Sequence, residues 1–157
     1  MKANIGISEN HLKAVAEKLQ VVLADEQVLY TKTRNYHWNV VGDNFSEMHI
    51  FFEKQYDELA EIVDEVAERI RMLGHYSTGR LVDFLKLTNL LEPEYSNVQS
   101  EQIKNLLDDH ETIIRHLREL ITEFAEKQKD LGSSDFVTGL LRQHEKMAWM
   151  LRSYLDK

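Results

Sequence analysis

Residues 45–73 read FSEMHIFFEKQYDELAEIVDEVAERIRML, and this stretch decides the fold. Its apolar side chains recur at steps of three and four residues, the spacing that places them on one face of an α-helix. The members of this stripe are Phe45, Met48, Phe52, Tyr56, Leu59, Val63, Val66, Ile70 and Leu73. A helix of this length with a single apolar face must bury that face against other helices, so the stretch predicts a helix bundle.

Three other segments carry the same periodicity. They run from Leu12 to Tyr36, from Ile103 to Phe124 and from Val137 to Tyr154. The short Gly42-Asp43-Asn44 and Gly132-Ser133-Ser134 stretches separate helix one from helix two and helix three from helix four. Because short connections join neighbouring antiparallel helices, we expect two helix pairs.

The segment between helices two and three is much longer than the other two connections. We expect helix two to end at Gly74, and about 25 residues that include Pro93 and the amphipathic piece 81–85 then follow. A crossover of this length can run along the whole bundle and hold a small helix. One long crossover in the middle of four helices is the connectivity of ferritin-like bundles. We therefore predict an all-α, ferritin-like four-helix bundle with a short extra helix in the crossover, formed as a single domain by residues 1–157.

Serine residues mark two of the predicted helix starts. Ser8 precedes the first apolar stripe and is expected to cap helix one. Ser133 or Ser134 is expected to cap helix four in the same way.

Composition excludes several classes of protein. The chain has 157 residues, a formal net charge of −8 and no cysteine, which excludes disulfide frameworks, thiolate metal sites and cysteine nucleophiles. We find no signal-peptide pattern at the N-terminus and no run of about 18 apolar residues. These features predict a cytoplasmic protein without a membrane span.

Five residues on or beside helix two have a spacing that suits metal binding: His37, His49, Glu53, Asp64 and Glu68. His49 and Glu53 are four positions apart, as are Asp64 and Glu68, so each pair shares a helix face. Glu53 and Asp64 are 11 positions apart, which returns to within about 20° of the same face but lies about 16 Å farther along the helix axis. The two pairs of one chain therefore cannot hold one metal.

A two-fold axis that pairs helix two with its own copy in antiparallel orientation would bring the two pairs together. It would create two identical sites per dimer, and His37 is placed to join the His49 end. Two imidazoles and three carboxylates suit Fe(II), Mn(II) or Zn(II). The alternative is that the acidic face of helix two is simply solvated. Spacing alone does not decide between them.

The run from His37-Trp38 through His49 and Glu53 to Asp64-Glu65-Val66-Ala67-Glu68-Arg69 resembles the signature of the Dps family, the mini-ferritins. This resemblance extends over essentially the whole chain. It implies a hollow dodecamer that oxidises Fe(II), with hydrogen peroxide preferred over dioxygen, and stores ferric mineral to protect against oxidative stress. It also implies ferroxidase sites at two-fold interfaces.

The resemblance assigns roles to the five residues. His37, His49 and Glu53 would be catalytic metal ligands from one subunit, and Asp64 and Glu68 would come from its neighbour, with Glu68 the bridging or tightest carboxylate. Many family members have Asp in place of Glu53, and the extra methylene is expected to keep ligation but to change how a second iron position fills. No histidine follows a glutamate by three positions, which argues against the intra-bundle di-iron site of ordinary ferritins.

Residues near these ligands leave alternatives open. Trp38 adjoins a proposed ligand and is either an electron donor that traps radicals or an interface packing residue, and we favour packing with an incidental redox role. His110 and His144 fall on core stripes and are expected to be hydrogen-bonded structural residues.

Three acidic residues near the start of helix four are candidates for lining a three-fold pore that admits iron: Glu126, Asp130 and Asp135. For Asp135, a favourable interaction with the helix dipole is an equally good explanation.

Direct DNA binding is not expected, because the chain is acidic and has only Lys2 before Ser8 where DNA-binding family members carry a lysine-rich arm. The alternative function is a DNA-compacting or scaffold shell with little ferroxidase activity.

Overall fold

The computed structural model describes residues 3–155, and within this span the chain is all-helical. Five α-helices follow one another: α1 (Glu9–Asn39), α2 (Phe45–Met72), α3 (Leu81–Leu87), α4 (Gln99–Thr122) and α5 (Leu131–Leu155). Helix α1 packs against α2 and α4 against α5, while the short α3 lies on α1. The predicted four-helix bundle with a small helix in its crossover is confirmed.

The ends of the first two helices follow the predicted signals. The Ser8 side chain accepts a hydrogen bond from the amide of His11 and caps α1. Gly74 has a φ of 88°, and the amide of His75 donates back to the carbonyl of Ile70, so the chain leaves α2 through a left-handed residue. A Cβ at Gly74 would lie 3.2 Å from Cβ of Ala3, which adds a steric reason for glycine there.

The predicted start of the last helix was wrong. Asp130, rather than Ser133 or Ser134, caps α5: its carboxylate accepts from the amide of Ser133, 2.9 Å away, and from the Ser133 hydroxyl. Gly132, Ser133 and Ser134 lie inside the first turn of the helix. Before this cap, the end of α4 widens into a π-helical turn over Glu123–Lys127, which the periodicity of the sequence did not predict.

The crossover between α2 and α4 runs along α1 and is attached to it at successive points. Gln20 accepts from Thr78, and Asp25 accepts from Thr88 and Asn89. Farther along α1, Lys32 donates to the carbonyl of Leu91 and pairs with Asp109 of α4 at 2.6 Å. These contacts hold the segment along the bundle, as its length predicted.

The interior of the bundle is mainly apolar and contains one buried polar chain. Glu26 of α1, His110 of α4 and His144 of α5 are all 0% exposed. Nε2 of His144 lies 2.9 Å from Oε1 of Glu26, and the two histidine Nδ1 atoms are 2.9 Å apart. The structural role predicted for these two histidines is confirmed.

Across residues 3–155, none of the helices combines the length and the apolar character needed to cross a membrane.

Candidate metal centre

The turn between α1 and α2 places His37 directly against His49. Nδ1 of His37 lies 2.8 Å from the carbonyl oxygen of His49, and Nδ1 of His49 lies 2.8 Å from the carbonyl oxygen of His37. The two rings stack with centroids 3.7 Å apart and planes 20° apart. Each histidine therefore fixes the orientation of the other.

This reciprocal bonding also determines the tautomer of both rings. A carbonyl oxygen can only accept a hydrogen bond, so each Nδ1 carries the proton and donates it. Nε2 of each neutral ring is then left with a free lone pair. Metal-binding histidines characteristically donate their other ring N–H to a carbonyl or carboxylate, so this arrangement fits a divalent transition metal.

Phe45 supports His49 from the start of α2. Its ring lies 5.1 Å from that of His49, with the two planes 29° apart. The tight connection before it is held by a hydrogen bond from the Phe45 amide to the carbonyl of Gly42, whose φ is 133°. Glycine adopts this φ without strain, which is why so short a turn can bring the ends of the two helices together.

Glu53 lies one helical turn beyond His49 and is half-buried. Its Oε1 is 3.4 Å from the hydroxyl of Tyr56, which donates to it. The Tyr56 ring meets the His37 ring edge-on with centroids 5.2 Å apart. Burial raises the pKa of Tyr56, and the carboxylates of Glu53 and Asp57 raise it further.

An arginine and two more aromatic residues stand beside this group. The Arg34 guanidinium carbon lies 5.5 Å from the ring of Tyr30, 5.2 Å from Trp38 and 5.4 Å from Tyr56. Trp38 is 61% exposed in the single chain, with the Arg34 guanidinium over its ring.

Arg34 and Tyr56 belong to this group, although the spacing of metal-binding residue types does not single them out. Tyr56 lies on the apolar stripe of α2, and the periodicity of that stripe does not distinguish a phenol from a phenyl ring. Its position three residues after Glu53, and that of Arg34 four residues before Trp38, are the sequence signals that place them beside the candidate ligands.

Asp64 and Glu68 lie farther along the same unbroken helix, and both are exposed. Glu53 and Asp64 are about 16 Å apart along its axis. The next residue, Arg69, turns toward α5 and donates to Ser133 and Asp130. Among residues 3–155, no three side chains of the metal-binding types come together in a single chain.

The three predicted pore residues differ in their surroundings. Asp130 is only 2% exposed, and its carboxylate is occupied by the α5 cap and by Arg69 at 3.5 Å. Glu126 in the π turn and Asp135 in α5 are exposed. Only the latter two present free carboxylates to solvent.

Comparison with known proteins relates the whole chain to one group. Residues 16–157 match the model of the ferritin-like domain. An uncharacterized low temperature-induced protein of Nostoc is 40% identical over 99% of this chain and 87% of its own length. The DNA protection during starvation protein 2 of Bacillus anthracis is 34% identical over 92% of this chain and 99% of its own.

The crystal structure of the Dps protein from Vibrio cholerae superposes with a TM-score of 0.92 at 32% sequence identity. That match covers 99% of this chain and 98% of the other, which is described as a member of a superfamily of ferritin-like diiron-carboxylate proteins.

Proposed function

The chain belongs to the Dps family of ferritin-like proteins. From this premise we propose that it oxidises Fe(II) with hydrogen peroxide, or with dioxygen, and stores the ferric product inside a hollow dodecamer. The iron is its substrate and cargo. The cellular role that follows is protection against oxidative stress.

One observation supports this proposal above the others, namely the mutual orientation of His37 and His49. Each ring donates Nδ1–H to the other residue's carbonyl, and so each keeps Nε2 free for a metal. Two imidazoles held this way before any metal arrives reduce the ordering that binding requires. A purely structural pair would gain nothing from leaving both Nε2 lone pairs free.

The remaining ligands come from a second subunit in this proposal. His37, His49 and Glu53 form one half of the site, and Asp64 and Glu68 of the partner subunit form the other. An antiparallel two-fold contact along α2 joins the halves and produces two equal sites per dimer. The separation of about 16 Å along the helix is the geometric reason that one chain cannot supply all five ligands.

The chemistry follows from this ligand set. Two Fe(II) ions each give one electron to hydrogen peroxide, its O–O bond breaks, and two protons complete two molecules of water. Carboxylates stabilise the ferric product more than the ferrous substrate because they are hard, anionic ligands. Reduction of peroxide by two electrons at paired iron avoids release of hydroxyl radical. Water then hydrolyses the ferric ions to mineral.

Zn(II) and Mn(II) suit the same nitrogen and oxygen donors and would compete with Fe(II) for the site. We expect either metal to inhibit iron oxidation when it is added first.

The decisive experiment loads the protein with Fe(II) under anaerobic conditions, adds substoichiometric peroxide and records oxidation spectroscopically. We expect rapid oxidation of two Fe(II) ions per peroxide. In His37→Asn and His49→Asn the side-chain amide can still donate to the opposite carbonyl, but Nε2 is absent, so we expect a loss of rate of at least about tenfold. His11→Ala, near the opposite end of α1, is the matched control.

Two outcomes would contradict the proposal. Oxidation no faster than in buffer would favour the scaffold alternative, and wild-type rates in both asparagine variants would place the site elsewhere. The DNA-compacting alternative is tested separately by gel shift at low salt, where the net charge of −8 leads us to expect no complex.

A further inference from the structure

The phenol of Tyr56 contacts two of the proposed ligands. Its hydroxyl donates to Oε1 of Glu53 at 3.4 Å, and its ring meets the His37 ring edge-on. The first contact leaves Oε2 of Glu53 available for a metal. The second limits the tilt of His37 about its Nδ1 hydrogen bond.

Tyr56 is itself held in place from its other side. The Tyr30 ring packs edge-on against it with centroids 6.2 Å apart, and the Arg34 guanidinium lies 5.4 Å from its centre. Arg34 is anchored in turn by a hydrogen bond of 2.9 Å to the Tyr30 hydroxyl. The hydroxyl of Tyr56 therefore projects toward Glu53 from a fixed support.

Glu53 needs such a support more than a shorter carboxylate would. A glutamate side chain has one more rotatable bond than an aspartate and loses more rotamer freedom when it is fixed. The histidines are ordered by their mutual hydrogen bonds, whereas the hydrogen bond from Tyr56 is the contact that orients this carboxylate. We propose that Tyr56 is a positioning residue that holds Glu53 in its metal-binding conformation.

This inference rests on the proposed function, since it concerns the same metal centre. It assigns no electron transfer and no proton transfer to Tyr56. The residue acts on the affinity of the site, and through that on the Fe(II) concentration at which oxidation reaches half its maximal rate.

Tyr56→Phe tests the inference because it removes the hydroxyl and keeps the ring against His37. Co(II) serves as the probe, since its visible absorption reports both affinity and coordination geometry. We expect the affinity for Co(II) to fall by about twofold to tenfold, the range for one hydrogen bond to a ligand. The band positions should stay the same, because the ligands themselves are unchanged.

Tyr154→Phe is the matched control, because it removes a tyrosine hydroxyl that donates to Glu47, a glutamate of α2 outside the proposed ligand set. The second test repeats Tyr56→Phe in a Glu53→Asp background. The hydrogen bond to Glu53 is already 3.4 Å long, and an aspartate carboxylate is one methylene shorter. We therefore expect the phenol to make no hydrogen bond in this background, so that removal of the hydroxyl leaves Co(II) affinity unchanged. Size-exclusion chromatography and thermal unfolding should show that all four variants assemble and fold as the wild type does.

The outcomes separate this inference from the function on which it rests. The proposed function fails if the wild-type protein gives no Co(II) spectrum, or if His49→Asn leaves that spectrum in place. If that spectrum is present but Tyr56→Phe has wild-type affinity, or loses as much affinity in the Glu53→Asp background as alone, only the role of Tyr56 is overturned.

Discussion

Nε2 of His144 and Oε1 of Glu26 face each other across 2.9 Å in a part of the bundle that solvent does not reach. The carboxylate joins α1 to α5, and His110 extends the connection to α4. Oε2 of Glu26 and Nε2 of His110 are buried without a hydrogen-bond partner among the described residues. Three of the four long helices thus depend on one chain of polar contacts.

We expect removal of one member of this chain to be costly. His144→Leu would leave the Glu26 carboxylate buried without its imidazole partner, and the free energy of unfolding should fall by about 3–5 kcal/mol. The double variant Glu26→Leu, His144→Leu removes both groups and should recover part of that loss. Urea unfolding of both single variants and the double variant at one fixed protein concentration measures these effects, and a loss in the double variant equal to the sum of the two single losses would show that the two residues do not interact.

His110 makes the stability of the bundle depend on pH. Burial, assisted by neighbouring His144, holds the pKa of His110 well below 6.5. In the unfolded chain His110 takes up a proton as pH falls through about 6.5, while in the folded chain it remains neutral. Protons therefore bind preferentially to the unfolded state, and stability falls with decreasing pH by up to about 1.4 kcal/mol per unit for this group.

The measurement is the slope of unfolding free energy against pH between about 6.5 and 5. His110→Leu should reduce that slope by up to about 1.4 kcal/mol per pH unit, which corresponds to one proton fewer taken up on unfolding. His11→Ala, which changes a residue at the start of α1, should leave it nearly the same. An unchanged slope in His110→Leu would mean that another group titrates in this range.

Lys32 ties the crossover to the bundle through the carbonyl of Leu91 and through Asp109. Lys32→Met leaves the mostly buried Asp109 carboxylate without its cation, and burial already raises the pKa of Asp109. We expect a loss of stability of about 3–5 kcal/mol and faster proteolysis between Thr88 and Val98. Lys13→Met, whose lysine pairs with Glu17 on the surface, should change neither.

The predicted iron-entry pore can be tested separately from the metal centre. If Glu126 and Asp135 line it, Glu126→Gln combined with Asp135→Asn should slow the first phase of iron uptake at low salt and have little effect at high salt, because salt screens exposed charges. Asp130→Ala should instead lower the free energy of unfolding. Loss of the α5 cap is expected to cost about 1–2 kcal/mol of stability. Uptake kinetics that are insensitive to the double substitution would remove these residues from the pore.

The apolar stripe of α2 was sufficient to predict the helix bundle, and Gly74 was sufficient to predict where α2 ends. Both act locally, through side chains a few positions apart. The start of α5 was misjudged because Gly132-Ser133-Ser134 has the composition of a turn. Asp130 satisfies the first amides of the helix instead, and no local signal distinguishes that carboxylate from the serines nearby.

The metal centre shows a similar division. The spacing of residues along α2 correctly predicts that His49 and Glu53 are neighbours and that Asp64 lies about 16 Å farther along the helix axis. The exchange of hydrogen bonds between His37 and His49 could not be predicted, because it depends on the path of the chain through the turn at Gly42. The support that Tyr56 receives from Tyr30 and Arg34 likewise requires two helices to be in register.

The division of ligands between the two ends of α2 has a genetic consequence. In the proposed dimer, a subunit with His49→Asn still carries an intact Asp64 end, and one with Asp64→Asn still carries an intact His49 end. Each variant alone has no complete site, but a mixed dimer has one wild-type site beside one doubly altered site. Random pairing of equal amounts would restore roughly a quarter of all sites. Two inactive alleles expressed in one cell would therefore complement each other.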